Sequence, residues 1–174
     1  MMTAVILIGY RGTGKTSVAK HLADRIGGVA ADSDPEIERR TGKTIAEIFA
    51  QDGETVFRDW EEAVIADLLR QDFGKPLVLA TGGGAVLRET TRKRLKETGT
   101  VIWLTAKPET ILQRIQADAA SRTMRPNLTA LPPLQEIIAV LEKRTPLYAD
   151  AADTVIETDG KTVEEITALL SDAP

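Results

Sequence analysis

Near the start of the chain, Gly9, Gly14, Lys15 and Thr16 fall in the order G-x-x-x-x-G-K-[ST], a spacing suited to gripping a row of phosphates. Glycines at these places let the backbone curl until successive N–H groups point at one set of oxygens. A helix beginning at Lys15 would add the partial positive charge of its first turn. Lys15 itself supplies a cation for the β- and γ-phosphates, and the Thr16 hydroxyl is a hard oxygen donor of the kind Mg²⁺ takes. Gly12, Thr13, Gly14, Lys15, Thr16 and Ser17 are therefore the expected nucleotide-binding set. A glycine-rich turn arising by chance would complete this pattern in about one chain in a hundred of this length. The flanks reduce that chance further: residues 4–8 form a continuous apolar, β-branched run, and Val18, Leu22 and Ile26 recur at helical spacing.

Other residues could carry chemistry, each with a plainer alternative. Asp32 follows the second predicted strand and is the one acid placed to support Mg²⁺ through water, since the strand over 77–81 runs into Gly82, Gly83 and Gly84 instead of an acid. A solvated loop acid is the plainer reading. Asp34 before Pro35 reads as a helix N-cap with proline at the first helical position. Arg58 beside Phe57 and Trp60 could pair with Glu61 or Glu62 on the surface, and Arg144 could offset a helix dipole at a C-terminus. The N-K-x-D guanine reader of GTP switches is absent, because the sole asparagine, Asn127, precedes Leu128.

These residues require positioning elements. The patterns predict helices over 15–26, 44–51 (Thr44 and Glu47 forming a capping box), 54–70, 88–97, 108–114, 134–144 and 163–171, the last opened by a Thr162–Glu165 capping box. On the 54–70 helix, Val56, Trp60, Val64 and Leu68 make the expected apolar stripe, with Trp60 a core residue. Strands are expected over 4–8, 28–31, 77–81, 101–104 and 154–157. Alternating strands and helices predict right-handed βαβ units: an α/β fold, three-layer α/β/α, with a five-stranded parallel sheet. In such sheets ligands bind past the carboxyl ends of the strands, so Gly9, Asp32 and Gly82 should converge on one crevice. Residues 118–133 lose periodicity and gather Arg, Pro, Asn and Thr, the composition of a mobile lid.

Composition narrows the function. The 174 residues suit one domain with a sizeable core. Net charge is −4, which disfavours nucleic acid as a partner. There is no cysteine and a single histidine, His21, so thiolate and multi-histidine metal centres are excluded. No apolar run approaches the roughly 20 residues of a membrane span, and the 4–8 stretch is too short for a signal segment. A soluble, cytoplasmic protein is the expectation.

Read in order, Asp32-x-Asp34, Gly53-x-x-x-Phe57-Arg58, Gly82-Gly83-Gly84 and Arg125-Pro126, following the phosphate loop, resemble the shikimate kinase family from Ile8 to the last helix. The resemblance implies a P-loop NTPase fold in one domain over 1–174, with a substrate-binding segment at about 32–62 and a lid at about 114–133. It implies transfer of the ATP γ-phosphate to the 3-hydroxyl of shikimate, with Mg²⁺ held by Thr16 and Asp32. It places Arg58 and Arg144 on the substrate carboxylate, a task for which a planar guanidinium fork is suited. Asp34 is then the group that orients or deprotonates the attacking hydroxyl, and Gly82 and Gly83 let backbone approach the substrate. Arg125 becomes a lid cation over the phosphates, a catalytic role shared with Lys15 and Asp34; Arg122 is a weaker candidate for it. Arg114 and the 159–162 loop fall on the adenine side. ATP and shikimate are the implied partners and a monomer the implied state. Many members carry Arg-Pro-Leu-Leu where this chain has Arg125-Pro126-Asn127-Leu128, and longer-lid members with a polar residue there also exist. Rival readings are another small-metabolite kinase of this fold, of the gluconate kinase kind, or a non-catalytic nucleotide-binding regulator.

Overall fold

The computed structural model describes residues 4–118 and 128–171. Five strands, β1 (Ala4–Ile8), β2 (Val29–Asp32), β3 (Leu77–Ala80), β4 (Gly99–Thr105) and β5 (Thr154–Glu157), form one parallel sheet in the order β2-β3-β1-β4-β5. Register follows the alternation of side chains. Ile6, Ile8, Leu77, Leu79 and Val101 enter one core layer, and their neighbours Leu7, Val78, Ala80, Ile102 and Leu104 enter the layer on the opposite face. Both faces must therefore be covered, as the continuous apolar strands require.

Helix α1 (Lys15–Ile26) and the last helix, α8 (Val163–Ser171), cover the second face through Val18, Leu22 and Ile166. The first face is covered by α2 (Ser33–Thr41), α3 (Ile45–Gln51), α4 (Glu54–Arg70), α5 (Glu89–Thr98) and α7 (Pro133–Ala151). Helix α6 (Pro108–Ala117) packs Ile111 against Tyr10 and against Ile137 and Val140 of α7 in a third, smaller cluster. Strands β1 and β3 are neighbours, yet the chain leaves β1 for α1 on one face and β3 for α5 on the other. That reversal opens a crevice at their carboxyl ends. Among the described residues no helix is long and apolar enough to cross a membrane.

Several expectations need correction. The cap of α2 is Asp32, whose side chain accepts from the Asp34 N–H at 3.0 Å; the helix begins at Ser33, two residues before Pro35. On α4 the buried stripe is Phe57, Arg58, Glu61, Val64, Ile65 and Leu68, while Val56 and Trp60 are exposed. A helix turns about 100° per residue, so a one-residue offset was enough to turn Trp60 outward. Helix α7 does not end at Arg144 but runs through Pro146 to Ala151. Burial of Tyr148 and Ala151 beyond the proline holds the last turn against the lost hydrogen bond. The Thr44–Glu47 and Thr162–Glu165 capping boxes both form.

Leu79 is fully buried in β3 between β2 and β1. Leu79→Ala should cost about 2–5 kcal/mol of stability, read as a lowered denaturant midpoint with an unchanged m-value.

Candidate active site

The phosphate loop links β1 to α1. Gly12 and Gly14 take φ of 79° and 91°, left-handed values that a side chain would strain. Lys15 is buried inside the loop, its Nζ donating to the carbonyls of Gly9 at 2.7 Å and Tyr10 at 2.8 Å. The Thr13 hydroxyl donates to the Tyr10 carbonyl at 2.7 Å, closing the turn. Thr16 and Ser17 are exposed at the start of α1. The Thr16 hydroxyl donates to Asp32 Oδ2 at 2.6 Å, so the two residues expected at a metal stand side by side. A hydroxyl and a carboxylate oxygen beside a phosphate loop are hard donors and fit Mg²⁺. No group of three or more His, Cys, Asp or Glu side chains with metal-site spacing occurs among the described residues.

Beside this loop lies a cleft walled by Ile45, Phe49 and Phe57 on its apolar side and by Arg58, Glu61 and Arg144 on its charged side. The Gly82–Gly84 turn forms its floor. Arg58 and Arg144 are each only 8% exposed. Arg58 donates to Glu61 Oε2 at 2.6 Å and stands with its guanidinium carbon 5.0 Å from the Phe57 ring centre. Arg144 lies on the interior of α7, well before its C-terminus, which removes the dipole-offset reading. Asp34 is buried at the start of α2.

Absence of side chains on the glycine turn is a steric requirement. A Cβ on Gly82 would sit 2.5 Å from Glu61 Oε1 and 2.9 Å from Asp34 Oδ1, and one on Gly84 would overlap the Arg58 guanidinium. Asp34, Glu61 and Arg58 thus crowd against the same stretch of backbone. The Tyr148 hydroxyl donates to the Gly83 carbonyl at 2.5 Å, and its ring stacks on Trp103, fixing the turn from below. Gly82 N–H donates to the Ser33 hydroxyl at 3.1 Å, tying the turn to the start of α2.

Of the expected site residues, Arg58, Gly82, Gly83 and Arg144 line the cleft, Asp34 abuts Gly82, and Thr16 and Asp32 are joined by a hydrogen bond at the head of the phosphate loop, where Lys15 is buried. Arg125, Arg122, Pro126 and Asn127 lie outside the described residues. Arg114 donates to the Gly12 carbonyl at 3.3 Å and to Thr158 Oγ1 at 2.8 Å, joining the phosphate loop to the loop after β5. The 114–117 part of the lid segment is helical, the end of α6.

The cleft also contains residues that sequence reasoning did not place in a site: Tyr10, Arg11, Ile45, Phe49 and Leu128, and Glu61, which it had expected only at the surface. Glu61 is 3% exposed, not a surface partner of Arg58. Burial raises its pKa above the ordinary glutamate value, with Arg58 opposing the rise. Its i+3 spacing from Arg58 was the available signal. Burial likewise raises the Tyr10 phenol.

A parallel sheet with a phosphate loop after its first strand, and an arginine-lined cleft adjoining that loop, define a P-loop kinase of the small-metabolite class. The sequence model of the shikimate kinase family matches residues 11–173. The chain belongs to that family. Shikimate kinase of Symbiobacterium thermophilum is 42% identical over 164 residues, covering 94% of this chain and 91% of that protein. That of Rhodopirellula baltica is 40% identical over 97% of this chain and 89% of its own length. The structure of Acinetobacter baumannii shikimate kinase in complex with shikimate superposes with a TM-score of 0.90 at 38% identity, covering 98% of this chain and 92% of that one. A Sinorhizobium meliloti gluconokinase matches at a TM-score of 0.55 and 15% identity, a likeness of fold alone.

Gly82→Ala should displace the Asp34 and Glu61 carboxylates and depress turnover, while affinity for a fluorescent ATP analogue stays near wild type. The Glu61 pKa gives a second outcome. A raised folded pKa means this group's contribution to stability is present below the unfolded value and is lost as pH rises through the folded one. Glu61→Gln, which cannot titrate, should therefore gain stability relative to wild type in thermal melts as pH rises above the ordinary glutamate range.

Proposed function

We propose that this chain transfers the γ-phosphoryl group of ATP to the 3-hydroxyl of shikimate, giving shikimate 3-phosphate and ADP. One observation carries the reading: two buried arginines, Arg58 and Arg144, line one cleft directly beside the phosphate loop, and the buried carboxylate Asp34 abuts Gly82 of its lining. A small ring bearing one carboxylate and several hydroxyls matches that distribution of charge. Its carboxylate takes the arginines, and its hydroxyls take Asp34 and the glycine-turn backbone.

ATP lies in the phosphate loop, with the amides of Gly12 to Ser17 around its phosphates. Lys15 exchanges the Gly9 and Tyr10 carbonyls for β- and γ-phosphate oxygens. Thr16 directly and Asp32 through water would hold Mg²⁺, which when bound neutralises charge on those phosphates. Asp34 accepts the hydrogen bond of the attacking hydroxyl, aims its oxygen in line with the γ-phosphorus and takes its proton as the new bond forms. Lys15 offsets charge that accumulates on the transferred group and on the ADP leaving oxygen. The family resemblance adds Arg125 as a cation over the phosphates, supplied by a lid that covers the site and excludes water. A cytoplasmic monomer remains the expected state.

A coupled assay of ADP release from ATP and Mg²⁺ tests the reading: shikimate should stimulate release strongly, and quinate, gluconate and nucleoside monophosphates should not. Equal response to gluconate would favour the rival kinase, and no response to any acceptor would favour the regulator. Arg58→Ala removes one partner of a desolvated charge pair and should cost about 2–5 kcal/mol in shikimate binding, raising the shikimate KM far more than the ATP KM. Lys15→Ala should depress turnover with every acceptor; full activity would sink the phosphate-loop assignment.

A further inference from the structure

Glu136 lies in the first turn of α7 and is only 2% exposed, although its neighbours Pro133 and Gln135 are open to solvent. A carboxylate is held in such a place only if it is used by partners. One oxygen, Oε1, accepts from both the N–H of Thr129, at 2.5 Å, and the Thr129 hydroxyl, at 3.1 Å. The other, Oε2, faces Arg11 of the phosphate loop at 3.9 Å. Leu128, adjacent to Thr129, and Arg11 both line the acceptor cleft, whereas Glu136 does not. The Arg11 Nε is buried with no hydrogen-bond partner among the described residues; its guanidinium forms an ion pair with Glu136 and also acts on the Tyr10 phenol. Apolar packing supports the same junction, with Tyr10 seated against Ile137 and Val140 of α7.

We infer that Glu136 is a positioning residue for the acceptor site: with one oxygen it sets Leu128 and with the other it sets Arg11, so two walls of the cleft are placed by one buried carboxylate. Arg11 is thereby a third cation lining the cleft, at its boundary with the phosphate loop. This inference rests on shikimate occupying the cleft.

Kinetics of Glu136→Gln, Arg11→Met and the double variant test it. Glu136→Gln keeps an acceptor for Thr129 but loses the charge that holds Arg11. It should raise the shikimate KM roughly tenfold, with the ATP KM little changed, and should add almost nothing in the Arg11→Met background. Glu136→Ala should be worse than Glu136→Gln, because the Thr129 acceptor is lost as well. An active wild type with Glu136→Gln at the wild-type shikimate KM overturns the inference and leaves the proposed reaction standing. So does an equal rise in both KM values, or full additivity with Arg11→Met. A wild type that releases no ADP in response to shikimate overturns the reaction instead, and this inference with it.

Discussion

Holding guanidinium groups out of water is the constraint around which the acceptor side is arranged. A buried charge is costly unless the protein returns the interactions that solvent gave up. Arg58 receives them from Glu61 at 2.6 Å, from Glu54 at 3.4 Å and from the Phe57 ring beneath it. Space for that group exists only because Gly84 has no side chain, and space for Glu61 and Asp34 only because Gly82 has none. The glycine turn in turn keeps its shape through Tyr148 and Ser33. Removing one member disturbs the rest, since each buried polar group is the others' substitute for water.

Helix α7 shows how secondary structure delivers this arrangement. Glu136, Val140, Arg144 and Tyr148 are four residues apart in succession, and all are buried. That spacing puts them along one side of the helix. A single helical face thus carries a carboxylate to the phosphate loop, a cation to the cleft and a hydroxyl to the glycine turn. Continuation of the helix past Pro146 is what brings Tyr148 under Gly83, so the proline is tolerated where tertiary packing needs the next turn.

Sheet topology couples the two halves of the site. Neighbouring strands β1 and β3 send their connections to opposite faces, and the gap between the loops that follow them is where nucleotide and acceptor must meet. The Thr16–Asp32 hydrogen bond and the Arg114 bonds to Gly12 and Thr158 tie the phosphate loop to the carboxyl ends of β2 and β5. Phosphoryl transfer gains mainly from fixed positions and fixed charges, so a rigid frame around a small cleft serves the chemistry.

What the sequence determined alone was local. A phosphate loop is a run of consecutive backbone amides, its needs are written in consecutive residues, and the capping boxes and buried strands are legible for the same reason. Family-level spacing extended the expectation to Asp34, Arg58 and Arg144, all of which the fold buries. Tertiary structure decided whatever depends on which side of a helix faces inward and on which distant atoms share a cavity. The stripe of α4 differed by one residue from its apolar pattern because Arg58 and Glu61, paired with each other, take buried positions that hydrophobicity would have denied them. Pro146 marked an end that packing overrode. Arg11 is far in the chain from Leu128 and Glu136, and no spacing rule joins a phosphate-loop side chain to a carboxylate more than a hundred residues away; only folding closes that distance.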